Sequence, residues 1–91
     1  MTTYNEKEAK EELKNLDNWS FSKNGIEKKF EFENFIEALA FIVKMGVHAE
    51  KLNHHPEIHN VYNKVTVRLT THDANGITKK DFDLAKKIDL L

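Results

Sequence analysis

Two stretches of alternating apolar residues, each followed by a helical pattern, constrain the fold of this chain most strongly. The first covers residues 19–32 and contains an Asn24-Gly25 pair, a dipeptide typical of tight hairpin turns. The second comprises residues 58–62 and 65–71, joined by a turn near Asn63-Lys64. A strand pair with one apolar face must bury that face against another layer. The pattern therefore predicts two β-hairpins covered by helices.

Three helices are predicted around these hairpins. Residues 6–16 are rich in helix formers and carry a narrow apolar stripe. Asn34 is a suitable N-cap for a long helix over residues 35–52, and Pro56 prevents that helix from continuing much further. The segment Thr78-Lys-Lys-Asp81 has the pattern of a capping box and begins the last helix.

The order helix, hairpin, helix, hairpin, helix indicates an α+β fold. We expect a two-layer sandwich in which a four-stranded, mainly antiparallel sheet has helices on one face. A length of 91 residues fits one domain, residues 1–91, with a modest core. Because so small a core leaves a thin margin of stability, we expect a homo-oligomer, a dimer or a tetramer.

Charge and composition exclude several classes of function. The chain has 14 Lys and Arg against 15 Asp and Glu, with Arg68 as its one arginine, which argues against binding to nucleic acid. No apolar stretch approaches the roughly 20 residues that cross a bilayer, so we expect no membrane association. The polar, acidic N-terminus is unlike a secretory signal and predicts a cytoplasmic protein. The absence of cysteine excludes thiolate chemistry.

All five histidines lie between His48 and His72, which is the first functional signal in the sequence. Imidazoles near the end of a helix also interact well with its dipole, so a purely structural reason for the cluster stays open. His54-His55-Pro56 follows the long helix, and because the proline breaks the helix there, both imidazoles can face one cleft. His72 follows the second hairpin.

Glu50 is the acidic residue that we associate with this cluster. On a helical wheel it falls within the broad apolar arc of the long helix, which we expect to face the core, and an inward carboxylate needs a partner. His54 is four residues further on, so we predict a Glu50–His54 pair. The alternative is that Glu50 caps a neighbour or reaches water.

Phe41, Met45 and Leu52 lie beside the polar face of the long helix and predict a small subunit contact. The expected core-facing arc consists of Phe35, Ile36, Leu39, Ala40, Ile42, Val43, Gly46 and Val47.

These motifs together resemble those of a known family. Glu50-x-x-x-His54-His55-Pro56-Glu57, the run from Asn60 to Val65 and Thr71-His72-Asp73 are similar to the signature of the pterin-4a-carbinolamine dehydratases. The similarity extends over nearly the whole chain, including the hairpin that begins at Trp19 and the last helix with Asp81.

The resemblance implies a lyase that dehydrates 4a-hydroxytetrahydropterin to quinonoid dihydropterin and water, in the recycling of tetrahydrobiopterin, without a metal or an organic cofactor. It implies that His54, His55 and His72 surround the carbinolamine and that Glu50 supports His54. His55 is then expected to protonate the departing hydroxyl. His54 and His72 are expected to bind the pterin and to take part in the other proton transfers. Pro56 and the segment Thr71, His72, Asp73 and Ala74 are expected to line the pocket.

The sequence departs from the family pattern at Ile58, where the family usually has an aromatic residue two positions after the proline. We expect this change to affect substrate affinity or pterin preference more than the reaction. His59, which follows it, is expected to be a solvated strand residue.

Two other classes of function stay open at this point. Relatives of this fold in animals also bind a transcription factor, so the resemblance allows a non-catalytic dimerisation or coactivator module. Imidazoles and carboxylates are also sound ligands for zinc. The sequence lacks the familiar pair of histidines at helical spacing with a glutamate between them, which weighs against a metal site.

Overall fold

The computed structural model describes residues 2–91 and confirms the predicted α+β architecture. Its strands form one sheet in the order β1-β2-β4-β3, in which every neighbouring pair is antiparallel. The helices cover one face of this sheet. The elements are α1 (Glu6–Leu13), β1 (Ser20–Ser22), β2 (Gly25–Glu31), α2 (Phe35–Leu52), β3 (Glu57–Val61), β4 (Lys64–Leu69), a 3-10 turn (His72–Ala74) and α3 (Lys79–Asp89).

The core lies between the sheet and the helices. On β4 the residues Val65, Val67 and Leu69 have no exposed surface, whereas their neighbours along the strand point away from the helices, as the alternation predicts. From α3, Phe82 and Ile88 fill the other side of the same core. No helix within residues 2–91 is long and apolar enough to cross a membrane.

The helix starts are those that the sequence predicts. The side chain of Asn34 accepts a hydrogen bond from the backbone N–H of Glu37 at the start of α2. Thr78 and Asp81 form the predicted capping box of α3. The first helix is shorter than predicted, because α1 ends at Leu13 and the chain continues in turns through Leu16, which still packs against the core.

The expected orientation of α2 was wrong. Phe41 and Met45, which we assigned to a subunit contact, lie in the core together with Ala38 and Ala49. The small alanines let the helix pack closely on α3 and β4, and a helix with two apolar stripes does not reveal by its sequence which of them faces its own core. Most of the expected core-facing arc faces solvent, including Val43, which is 68 % exposed, whereas Ile42 of that arc packs against the core as expected.

The first hairpin turn also differs from the prediction by one residue. Ser22 pairs with Gly25, so Lys23 and Asn24 are the two central residues, with φ angles of 46° and 61°. A glycine is required at position 25 because the guanidinium of Arg68 occupies the space beside its Cα atom. A Cβ atom there would lie 2.3 Å from Nη1 of Arg68, whose guanidinium donates hydrogen bonds to the carbonyl oxygens of Ser22 and Lys23.

Gly25→Ala should therefore destabilise the protein. The added methyl displaces the guanidinium of Arg68 from the turn, and the loss of its hydrogen bonds lowers the free energy of unfolding by about 1–3 kcal/mol. Urea denaturation measures the change. Gly46→Ala is the matched control, since a Cβ atom there meets nothing within 4 Å in a helix, and alanine should stabilise by up to about 1 kcal/mol. Equal effects of both substitutions would contradict this account.

Candidate active site

The candidate site forms where three elements end or begin together. After α2 the backbone of Asn53 adopts a left-handed conformation, and the N–H of His54 donates to the carbonyl oxygen of Ala49 at 3.0 Å. This C-terminal turn buries His54 and leaves His55 on the surface. The end of β4 and the start of α3 form the rest of the site.

His54 is held by a buried acid. Its Nε2 lies 2.5 Å from Oδ1 of Asp81, which has no exposed surface, and His54 itself is only 8 % exposed. A carboxylate can only accept hydrogen bonds, so Nε2 donates. The other ring nitrogen, Nδ1, has no hydrogen-bond partner among residues 2–91, and no buried side-chain nitrogen or oxygen there lacks one, so Nδ1 reaches solvent.

The second oxygen of Asp81 is bound by two threonines. Oδ2 accepts from the hydroxyl of Thr71 at 2.9 Å and from the backbone N–H of Thr78 at 2.9 Å. Because the single hydroxyl hydrogen of Thr71 is used on Asp81, the hydroxyl of Thr78 must donate to Thr71, across 2.8 Å. The network joins α2, β4 and α3 and fixes the orientation of the His54 ring.

Glu50 contacts His55, and the predicted pair with His54 was therefore wrong. Its Oε2 is hydrogen-bonded to Nε2 of His55, and both side chains are exposed, that of Glu50 by 77 %. The prediction assumed that the helix continued to residue 54, but α2 ends at Leu52. It also assumed that Glu50 points inward, whereas the arc that contains it faces solvent.

A small open pocket collects most of the predicted site residues. It has a volume of about 190 Å³ and brings together three imidazoles, from His54, His55 and His72. Pro56 and Ala74, which we expected to line it, do not, and neither does Ile58, which lies on the edge strand β3. The full lining is Asn53, His54, His55, Thr70, Thr71, His72, Asp73 and Lys80.

Sequence reasoning missed two charged residues of this site. Asp81 was recognised as a capping residue and as part of the family resemblance, but not as the partner of His54. Lys80, beside it, also lines the pocket. The signal that was available for Asp81 is its position in a capping box next to buried apolar residues, but nothing local indicates which distant histidine it meets, 27 residues away in the chain.

A larger hollow lies elsewhere on the surface and contains fewer groups that can transfer a proton. It measures about 480 Å³ and lies on the face of the sheet that no helix covers, where Lys29, His59 and Lys64 contribute to its lining. It contains a single imidazole, which has no paired carboxylate within residues 2–91. We therefore assign the candidate site to the smaller pocket, because several titratable groups converge there, and not to the hollow with the larger volume.

The metal alternative receives no geometric support from the described part of the chain. Within residues 2–91 no three His, Asp or Glu side chains are arranged to hold a metal ion.

The arrangement provides two imidazole–carboxylate pairs in different surroundings. The His54–Asp81 pair is buried and rigid, and the His55–Glu50 pair is exposed. A carboxylate that holds one ring nitrogen leaves the other free to give or take a proton. The pocket is thus suited to proton transfer on both sides of a small molecule.

The chain is similar to proteins of one family throughout its length. Residues 2–91 match the family described as pterin 4 alpha carbinolamine dehydratase. A protein from Sulfurisphaera tokodaii, provisionally named a pterin-4-alpha-carbinolamine dehydratase, is 52 % identical over 91 residues, which cover 100 % of this chain and 98 % of the relative. A relative from Picosynechococcus with the same provisional name is 49 % identical and covers 99 % of this chain and 98 % of its own length.

A solved structure shares the fold closely. It is the crystal structure of a protein from Brucella melitensis described as a transcriptional coactivator/pterin dehydratase. The two chains superpose with a TM-score of 0.93 at 38 % identity, over 98 % of this chain and 97 % of the other. This chain belongs to the pterin-4a-carbinolamine dehydratase family.

Removing one hydroxyl group tests the buried network. Thr71→Val preserves the shape of the side chain but deprives Asp81 of a donor and Thr78 of an acceptor. We expect the free energy of unfolding to fall by about 1–3 kcal/mol. Chemical denaturation measures the loss. Thr66→Val, on the open face of β4, is the matched control and should stay within about 0.5 kcal/mol of wild type. A neutral Thr71→Val would show that the network does not support the site.

Proposed function

We propose that this chain dehydrates a 4a-hydroxytetrahydropterin to the quinonoid dihydropterin, as a hydro-lyase in the recycling of tetrahydrobiopterin. The observation that carries the proposal is the convergence of three imidazoles on one pocket, two of them paired with carboxylates. Family membership supports the same reaction. The chemistry needs one proton delivered and one removed, which histidines supply near neutral pH without a cofactor.

His55 is the group proposed to protonate the leaving hydroxyl. As the C4a–O bond breaks, the proton passes to the hydroxyl oxygen and water leaves. Glu50, on Nε2 of His55, stabilises the imidazolium that delivers this proton. Because both groups are exposed, His55 can recover its proton from solvent in each turnover.

His54 is proposed to take up the proton that the substrate loses. The lone pair of the neighbouring ring nitrogen forms the new C=N bond, and the hydrogen on that nitrogen must be removed. Asp81 holds Nε2 of His54 and thereby leaves Nδ1 free to accept it. His72, which also lines the pocket, binds the pterin and takes part in this proton transfer.

We also propose how the pterin is bound, how the chain assembles and where it acts. Asp73, which lines the pocket, offers polar groups to the flat pterin, whereas the hydroxyl and backbone groups of Thr71 are already hydrogen-bonded within the protein. We further propose that residues 1–91 act as one domain in a homodimer or homotetramer. We also propose that the chain acts in the cytoplasm.

Replacing His55 tests the proposed acid. His55→Ala should lower kcat for freshly generated 4a-hydroxytetrahydropterin by roughly 10²-fold to 10⁴-fold, the usual contribution of a general acid. Glu50→Gln should lower it by a smaller factor. The rate is followed by ultraviolet absorbance against a blank without protein.

His59→Ala is the matched control, because His59 lies on the open face of the sheet, outside the pocket. It should retain the wild-type rate. Full activity of His55→Ala would reject the assigned acid, and a folded wild-type protein that does not exceed the blank would reject the reaction.

A coactivator or dimerisation module is the second candidate, favoured by the description of the Brucella melitensis protein. It predicts that partner binding survives the combined replacement of His54, His55 and His72 by alanine. The dehydratase predicts the loss of turnover in that variant. Retained turnover would exclude the proposed site altogether.

A further inference from the structure

A second pocket, which we call the side pocket, adjoins the candidate site. It measures about 240 Å³ and shares Thr70, Thr71 and His72 with the pocket of the three imidazoles, so the two lie next to one another at the end of β4. The rest of its lining, which the proposed mechanism does not use, comes from Lys23, Asn24, Glu57, Arg68, Asn75 and Gly76.

Hydrogen bonds fix the walls of the side pocket. The hydroxyl of Thr70 donates to the carbonyl oxygen of Asn24 at 3.0 Å, and Nδ2 of Asn24 donates to the carbonyl oxygen of Asn75 at 2.9 Å. These contacts tie the first hairpin turn to the end of β4 and to the loop after the 3-10 turn. Because the walls are already in place, a ligand pays little ordering entropy to enter.

Glu57 is the acceptor that the side pocket offers. Nε of Arg68 lies 3.1 Å from Oε2 of Glu57, and the guanidinium also donates to the carbonyl oxygens of Ser22 and Lys23. Within residues 2–91 the Glu57 carboxylate accepts no further hydrogen bond, and its side chain is 56 % exposed. An ionised carboxylate can only accept, so the side pocket suits a ligand that carries hydroxyl donors.

We propose that the side pocket binds the substituent at C6 of the pterin and selects a chain with adjacent hydroxyl groups, which donate to Glu57. The inference rests on the proposed function and adds a specificity-determining residue to it. Hydrogen bonds to an ionised acceptor are about twice as strong as neutral ones. A carboxylate recognises a ribose hydroxyl in the same way in dinucleotide-binding folds. A methyl substituent cannot make these bonds.

An anionic substituent is the less suitable occupant. The charge of Arg68 is paired with Glu57, and its N–H groups are directed at two carbonyl oxygens. Lys23 is exposed, so solvent and salt screen its charge. Glu57 itself repels a phosphate or a carboxylate. The pocket should therefore distinguish hydroxyl groups from negative charge.

Calorimetric titration with stable dihydropterins tests the side pocket without reference to turnover. Wild type should bind 7,8-dihydrobiopterin, whose C6 chain carries two adjacent hydroxyls, about tenfold more tightly than 6-methyl-7,8-dihydropterin, the usual effect of a hydrogen bond to a charged group. Glu57→Ala should abolish most of this preference. Glu27→Ala is the matched control, because Glu27 flanks Arg68 on the other side of β4 and lies outside the pocket. It should keep the preference.

Two outcomes of this titration would overturn the inference. One is equal affinity of wild type for the two ligands, a comparison that needs no variant. The other is an unchanged preference in Glu57→Ala. A charged ligand gives a further check: 7,8-dihydroneopterin 3′-triphosphate should bind no more tightly than 7,8-dihydroneopterin. Tighter binding of the triphosphate would show an anion site and would equally overturn the inference.

Kinetics separate this inference from the proposed function. Glu57→Ala should raise KM for 4a-hydroxytetrahydrobiopterin several-fold, with kcat unchanged, and should leave KM for the 6-methyl substrate at the wild-type value. An equal rise in KM for both substrates would overturn the role of Glu57. A wild-type protein that shows the binding preference but does not exceed the blank would reject the proposed function alone. Dehydration of both substrates with the same KM would reject the side pocket alone.

Discussion

The carboxylate of Asp81 is the constraint on which the site depends. A buried carboxylate is tolerated only when donors satisfy its oxygens, and here three donors from three separate elements do so: the imidazole of His54, the hydroxyl of Thr71 and the backbone N–H of Thr78. The same residue begins α3 through its capping box. The start of the last helix and the orientation of the His54 ring thus depend on the same carboxylate.

The architecture was largely predictable because the local signals agreed with one another. Alternation on β4, the cap at Asn34 and the capping box at Thr78 each predict the element that forms. The orientation of α2 was not predictable from its wheel. Ala38 and Ala49 face the core, and the more apolar arc around Val43 faces outward. Hydrophobicity indicates that a face is to be covered, but it does not say whether the covering element belongs to the same chain.

The sequence also did not predict correctly which acid pairs with which histidine. The sequence indicates His54, His55 and Glu50 as neighbours, but the left-handed residue Asn53 reverses which imidazole meets the acid. Asp81 reaches His54 only through the tertiary fold, so no spacing rule could pair them. The two pairs differ in burial, which gives His54 a fixed ring and His55 access to solvent. That difference is the physical basis for their separate roles in the proposed reaction.

Binding of a stable pterin, followed by nuclear magnetic resonance, tests the central claim most directly. Titration of the isotope-labelled chain with 7,8-dihydrobiopterin should shift the ring resonances of His54, His55 and His72 and the backbone resonances of Thr71 and Asp73. Shifts confined to Lys29, His59 and Lys64, around the larger hollow on the open face of the sheet, would place the pterin elsewhere and contradict the account.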